Sequence, residues 1–161
     1  LMRLFGGEFE DIHSYVSNDY WKYDVEDNAY ALMKTSDDIY AMLHSSATQW
    51  RHRFQLDIGM SLGTVILEGI LTGSKSYGAE TLTVVRSSPK KDGGNPMEQS
   101  TRYNYDTSWE QEIEKFTNVI LTKSKVASCS SSDVLKTMEL VFKIYYADPI
   151  WRKTFKIPDP N

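Results

Sequence analysis

The fold of this chain is decided by residues 24–65, which read DVEDNAYALMK (24–34), IYAMLHSSATQW (39–50), HRFQLDIG (52–59) and GTV (63–65). Apolar and polar residues alternate along these segments, and short runs of Ser, Asp and Gly separate them. Alternation with a period of two predicts β-strands, and short polar connections predict hairpins. The stretch therefore predicts three or four consecutive antiparallel strands.

Strands are also expected on both sides of this stretch. The sequence pattern predicts one from Phe9 to Tyr20, another from Glu80 to Arg86, and a return strand from Gln99 to Tyr105. Residues 87–95 are rich in Gly, Ser and Lys, so we expect a hairpin tip there. The strand predicted at Ile39–Gln49 has apolar residues on both faces, which predicts that both faces are covered.

Helices are predicted at the two ends of the chain. Residues 1–5, followed by Gly6 and Gly7, have the pattern of the last turn of a helix. An apolar stripe at helical spacing predicts a second helix over residues 109–121. A similar stripe predicts a third from Ser132 to Tyr146, where Asp148 and Pro149 end it.

Together these elements predict an α+β fold, in which two C-terminal helices pack on one face of a mostly antiparallel sheet of six or more strands. Residues 151–161 are expected to form a short tail, with an extended end at residues 157–160. With 161 residues the chain is long enough for one domain, 1–161, with its own core. Because the first residue is Leu1, we expect a piece of a longer protein, with a cloning remnant as the alternative.

Composition argues against several classes of protein. The net charge of −4 and the pI of about 5.4 argue against nucleic-acid binding, which needs a basic surface. No apolar run approaches the roughly 20 residues that cross a bilayer. One cysteine, Cys129, excludes an intramolecular disulfide and favours a cytoplasmic protein.

The sequence does not contain a complete catalytic apparatus. The spacing of His13, His44 and His52 matches no metal-ligand pattern, and no Gly-x-Gly-x-x-Gly motif joins a strand to a helix. Cys129 has no histidine near it in sequence that could activate it. The carboxylates of Asp24, Glu26 and Asp27 could form an acid/base pair, although a solvated turn is the preferred interpretation.

The densest run of polar and aromatic residues is Thr48-Gln49-Trp50-Arg51-His52-Arg53. Gln and Arg donors beside an indole ring suit a sugar, whose hydroxyls form hydrogen bonds and whose C–H faces stack on aromatic rings. The alternative is a hairpin corner in which Trp50 fills the core and the arginines face solvent. The sequence leaves both interpretations open.

The same residues resemble the C-terminal domain of the Gfo/Idh/MocA family of NAD(P)-dependent oxidoreductases, which includes glucose-fructose oxidoreductase and inositol dehydrogenase. The resemblance extends over nearly the whole chain. It is carried by Asp24–Ala29, by His44–Trp50, by the strand-turn-strand at Ile58–Val65, and by the helices around residues 110–116 and 133–142.

The resemblance implies that the catalytic and cofactor-binding residues lie upstream of Leu1. The family's glycine-rich Rossmann motif, its Glu-Lys-Pro lysine and its Asp-x-x-x-His pair have no match in this chain. We therefore assign no catalytic, cofactor-binding or metal-binding residue here. NAD or NADP would be bound by the missing N-terminal Rossmann domain in the full-length protein.

The resemblance also implies that this chain is a substrate-binding and assembly domain. One sheet face would contribute to the substrate pocket, and the other would pack against another subunit of a homo-oligomer. The candidate substrate contacts are His44, Thr48, Gln49, Trp50 and Arg51.

The leading hypothesis is a cytoplasmic NAD(P)-dependent oxidoreductase that acts on a sugar or a sugar derivative, and this fragment alone is expected to be inactive. A non-enzymatic ligand-binding or assembly module with the same fold is the first alternative. The second is an unrelated enzyme with a cleft between sheet and helices, in which Asp24 or Asp27 pairs with His44.

Overall fold

The computed structural model describes residues 1–72, 74, 76–87, 94–126 and 130–160. These residues have an α+β fold, which confirms the predicted fold class. All their strand pairings are antiparallel, but the strands form two sheets where one was expected. The chain divides into two compact units, a first unit of residues 1–48 with 125–161 and a second unit of residues 49–124.

The elements agree with most of the predicted ones to within a few residues. The strands are β1 (Phe9–Ser17), β2 (Asn28–Thr35), β3 (Tyr40–Ser46), β4 (Gln55–Met60), β5 (Gly63–Glu68), β6 (Glu80–Arg86) and β7 (Met97–Tyr103). The helices are α1 (Met2–Gly6), α2 (Ser108–Thr122), α3 (Ser131–Ala147) and α4 (Pro149–Phe155). Part of the predicted hairpin tip at residues 87–95 lies outside the described residues.

The two sheets separate where β3 ends. The sequence predicted this strand as far as Gln49, but it stops at Ser46. There the hydroxyl of Ser46 accepts a hydrogen bond from the backbone N–H of Thr48, at 3.1 Å. A side chain that binds nearby backbone in this way competes with the strand ladder. The bond therefore gives a local reason for the end of β3.

The first unit contains the main core. Its sheet has the order β1-β2-β3, and α3 packs on one face. The alternation separated two faces of β2, and the structure shows that Ala29, Ala31 and Met33 are buried, whereas Tyr30 and Leu32 are exposed. The core cluster consists of Phe9, Ala31, Met33 and Ile144.

The tail predicted from Trp151 begins with a helix that was not expected, because α4 follows α3 directly, whereas the predicted extended end at residues 157–160 has neither helix nor strand. Asp148 ends α3 as expected, but its Oδ1 also accepts hydrogen bonds from the N–H groups of Ile150 and Trp151 at the start of α4. Its Oδ2 accepts the N–H of Val16 in β1, at 2.9 Å. A capping carboxylate followed by proline at the first helical position is a helix start as well as a stop. Asp148 therefore links α3, α4 and β1.

The second unit is built around the order β4-β5-β6-β7. One face of this sheet carries six apolar side chains that are only half buried: Leu56, Ile58, Val65, Leu67, Leu82 and Val84. The predicted apolar stripe of α2 is present, and its side chains are exposed. The described part of the chain has no helix that is long and apolar enough to span a membrane.

A bidentate ion pair holds α1 near α3. The guanidinium of Arg3 donates to Glu8 at 2.7 and 3.2 Å, and its Nη1 donates to the carbonyl oxygen of Asp133 and the hydroxyl of Thr137. Lys136 lies 3.4 Å from the same carboxylate. The hydrogen bonds from Arg3 lower the pKa of Glu8 to about 2, although partial burial opposes this shift.

We expect Met33→Ala to lower the free energy of unfolding by about 2–4 kcal/mol, because it leaves a cavity in the core. The matched control is Leu32→Ala, whose side chain is 61% exposed against 3% for Met33. The control should change stability by less than about 0.5 kcal/mol. Urea unfolding of both variants tests this, and equal losses would show that the faces of β2 are assigned wrongly.

We expect an NMR titration to show the pKa of Glu8 near 2, and Arg3→Met to raise it. Lys136→Met should raise it less, because Lys136 is a more distant donor. Since the folded-state pKa lies below the unfolded value, the ion pair stabilises the protein above that unfolded value. This contribution is lost as the pH falls towards 2. A titration of Glu8 unaffected by Arg3→Met would contradict the assignment.

Candidate functional site

The face of the first sheet that points away from α3 is here named the outer face. Strand register places its side chains in four rows, each with one residue from β1, β2 and β3 in that order. The rows are Ser17, Asn28 and Ser46; Tyr15, Tyr30 and His44; His13, Leu32 and Met42; and Asp11, Lys34 and Tyr40. On this face Tyr15, Leu32, Tyr40 and Met42 are 61–80% exposed, although the sequence predicted that both faces of β3 are covered.

The second row presents aromatic rings to solvent. The rings of Tyr30 and His44 stack with centroids 4.3 Å apart and planes 12° from parallel. Tyr15, which lies opposite Tyr30, is 80% exposed. Exposed flat rings can stack on the C–H faces of a ligand, and the tyrosine hydroxyls can form hydrogen bonds.

The first row continues into a polar cluster that contains Thr48. Its hydroxyl lies 3.1 Å from the amide nitrogen and 3.2 Å from the amide oxygen of Asn28. It also lies 3.1 Å from the hydroxyl of Ser46. Hydroxyl and amide groups both donate and accept, so this cluster can bind another polyhydroxyl group.

A buried carboxylate supports the polar cluster. Asp27 is 3% exposed and accepts hydrogen bonds from the N–H groups of Tyr20 and Trp21 and from the side chains of Ser17 and Asn28. Burial alone would raise its pKa, but these four donors together lower the pKa below the ordinary value. The interpretation of Asp27 as part of a solvated turn is therefore wrong.

The loop that Asp27 holds carries three exposed aromatic side chains. The rings of Trp21 and Tyr23 are nearly parallel, at 6.4 Å, and Tyr20 meets Trp21 edge-on at 4.9 Å. The indole N–H of Trp21 donates to the carbonyl oxygen of Ala47, at 3.4 Å. The loop therefore lies beside the residue that precedes Thr48.

A cleft of about 460 Å³ adjoins the second row (Tyr15, Tyr30 and His44), which is here named the ring row. Tyr15 and Tyr30 line it from the sheet, and Trp151 and Phe155 line it from α4. Asn18 adds a polar group at its rim. Its volume lies within the range of roughly 300–1,000 Å³ that is typical of small-molecule sites.

The five predicted substrate residues fall into two groups. His44 and Thr48 lie in the first unit, where Ser46 is in the row next to His44 and its hydroxyl lies 3.1 Å from that of Thr48. Gln49, Trp50 and Arg51 are exposed residues of the second unit. Trp50 is 77% exposed, so the alternative in which it fills the core is wrong. Sequence reasoning missed the supporting residues Tyr15, Trp21, Asp27 and Tyr30. The run Tyr20-Trp21-Lys22-Tyr23 is the feature of the sequence that could have identified the aromatic loop.

The structure gives no support to the proposed acid/base pair. The carboxylate of Asp27 accepts hydrogen bonds from four donors, none of which is His44. The ring of His44 stacks on Tyr30 instead. Asp24 is exposed. In the part of the chain that the structure describes, no group of three or more His, Cys, Asp or Glu is placed to hold a metal ion. Cys129 lies outside that part.

Two solved structures share the fold of this chain. UDP-N-acetylglucosamine 3-dehydrogenase GnnA from Acidithiobacillus ferrooxidans matches 93% of it with a TM-score of 0.71 and 17% identity. A putative NADPH-dependent oxidoreductase from Desulfitobacterium hafniense matches 91% of it with a TM-score of 0.64 and 11% identity. The chain spans 45% and 42% of their lengths. No family model and no curated protein sequence matches it. The fold implied by the resemblance is confirmed.

The described residues do not fit a nicotinamide dinucleotide. Such a cofactor binds at the end of parallel strands, where a glycine-rich turn leads into a helix N-terminus. Every strand pairing in both sheets is antiparallel. The strands of the described residues therefore lack the parallel arrangement at which a Rossmann domain binds its dinucleotide.

We expect Asp27→Ala to lower the midpoint of thermal unfolding by about 5 °C or more, because it leaves buried N–H groups without an acceptor. Hydrogen exchange at the amides of Tyr20 and Trp21 should accelerate in the same variant. The control is Asp24→Ala, which removes an exposed carboxylate from the same sequence cluster. Unchanged exchange at both amides in Asp27→Ala would contradict the supporting role of Asp27.

Proposed function

We propose that this chain is the C-terminal domain of a cytoplasmic NAD(P)-dependent oxidoreductase that acts on a sugar or a sugar derivative. The observation that carries the proposal is the fold. More than nine tenths of this chain matches the fold of two oxidoreductases, and the match covers less than half of each of those proteins. One of those proteins is named for its action on UDP-N-acetylglucosamine, so nucleotide sugars are the first substrates to try.

In this proposal the chain supplies substrate contacts, and the rest of a longer protein supplies the chemistry. NAD or NADP would be held by a dinucleotide-binding domain outside these residues, and the antiparallel strand pairings support that division. The chain alone would then be inactive. No residue described here is proposed to transfer a proton or a hydride.

The candidate substrate contacts are His44 and Thr48 on the first unit, with Gln49, Trp50 and Arg51 in the segment that follows. The polar cluster around Thr48 suits the hydroxyls of a sugar, and the ring row suits its C–H faces. The exposed indole of Trp50 and the guanidinium of Arg51 have the chemistry for ring stacking and for binding phosphate oxygens.

The remaining rows of the outer face support a homo-oligomer. Leu32, Met42 and Tyr40 are exposed large side chains next to one another on this face. Contiguous exposed apolar surface of this kind typically marks an interaction site. The opposite face of this sheet packs on α3. We therefore propose that the substrate and a second subunit bind to different parts of the outer face. The substrate would take the end near Thr48, and the subunit the end near Tyr40.

The test uses the gene product that contains this chain, assayed for reduction of NAD⁺ or NADP⁺ with UDP-N-acetylglucosamine and with free sugars. We expect His44→Ala and Thr48→Val to raise KM about tenfold, with kcat changed less than about threefold. Loss of a binding contact that does not take part in the chemistry produces that pattern.

The control variant is Ser45→Ala, because Ser45 is also exposed but lies on the opposite face of β3 from His44. It should leave both constants unchanged. A gene product that self-associates but reduces neither cofactor with any sugar would overturn the oxidoreductase proposal. That result would favour the ligand-binding or assembly module. Equal effects of all three variants would overturn the site assignment alone.

A further inference from the structure

Helix α2 carries a second apolar surface, separate from the outer face. Trp109, Ile113, Phe116 and Ile120 lie on one side of this 15-residue helix, and each is 59–76% exposed. Leu121 extends the stripe at its C-terminal end and is also exposed. Four large apolar side chains in a row exceed the scattered exposed residues that are normal for a protein surface.

The spacing of the stripe is that of a helix–helix seam. Successive members are separated by four, three and four residues, which is the alternation of a and d positions in a heptad repeat. This spacing keeps all four side chains in line along a second helix.

The charges of α2 are divided between its two halves. The N-terminal half carries Glu110, Glu112 and Glu114 without a cation, whereas the half from Lys115 onward has no acidic residue and ends at Lys123. Two parallel copies would bring six glutamates together. Two antiparallel copies would place each acidic half beside the basic half of the other, with opposed helix dipoles.

We propose that α2 is a self-association element that pairs antiparallel with α2 of a second copy of this chain. In that pair Trp109 packs near Ile120 of the second copy, and Ile113 packs near Phe116 of the second copy. The arrangement has a twofold axis at the middle of the helix, so it closes as a dimer. This inference does not depend on the enzymatic function proposed above.

The available area sets the strength of this contact. An aromatic side chain buries roughly 150–250 Å², so Trp109 and Phe116 contribute about 300–500 Å² on each copy. Ile113, Ile120 and Leu121 add to this, and a standard interface buries about 800 Å² per partner. The helix pair therefore reaches the low end of stable interfaces and should be reversible on dilution.

We expect Phe116→Glu to weaken self-association of the 161-residue chain at least tenfold in sedimentation velocity over a dilution series. The added charge would lie in the middle of the seam. The matched control is Asn118→Glu, which adds the same charge to an exposed position on the other side of α2 and should leave association unchanged. Circular dichroism of both variants checks that they fold.

Two further variants separate this contact from the others. Met42→Lys alters the outer face and not α2. It should therefore leave self-association through α2 unchanged, whether or not the outer face also binds a subunit. Glu112→Lys should weaken an antiparallel pair, and a stronger association would instead indicate parallel helices and overturn the proposed geometry. A chain that stays monomeric at millimolar concentration, or equal effects of Phe116→Glu and Asn118→Glu, would overturn the proposal. The stripe would then be assigned to another partner, such as the remainder of a longer protein.

Discussion

The first unit depends on two buried carboxylates that satisfy the backbone of its irregular segments. Asp27 accepts the N–H groups that the loop between β1 and β2 cannot pair within a sheet, and Asp148 does the same for the start of α4. Buried backbone N–H groups are costly without an acceptor, so each carboxylate fixes the path of the chain around it. Together they place the aromatic loop and α4 against the end of β1, where the ring row and the cleft are found.

The regular elements could be predicted because their signals are local. Alternation placed Met33 and Leu32 on opposite faces of one strand, and helical spacing identified α2 and α3. Two features were not predicted, although most of the hydrogen bonds behind them are also local. Asp148 looked like a stop signal until its three N–H partners showed that it also begins a helix. The end of β3 at Ser46 coincides with a hydrogen bond to the Ser46 hydroxyl, which a strand pattern does not distinguish from any other polar residue.

The candidate site was predictable only in part for a related reason. Thr48 and His44 were chosen from the segment 44–50 that carries the family resemblance, and the structure puts them on one surface. Their companions come from other strands, since the register of β1 on β2 decides that Tyr15 faces Tyr30. A shift of one residue would turn those rings to the opposite face, and nothing in a single strand specifies that register. The buried role of Asp27 was likewise invisible, because its partners Tyr20 and Trp21 have no strand or helix period.

The bond between Asp148 and Val16 has a consequence for how the protein avoids unwanted assembly. β1 is an edge strand, and edge strands with free N–H groups can template the addition of foreign strands. At Val16 the outward N–H is occupied by a carboxylate that also begins α4, so an incoming strand would have to displace a helix to bind there. The same side chain that orders the C-terminal segment thus protects the sheet against edge-to-edge aggregation.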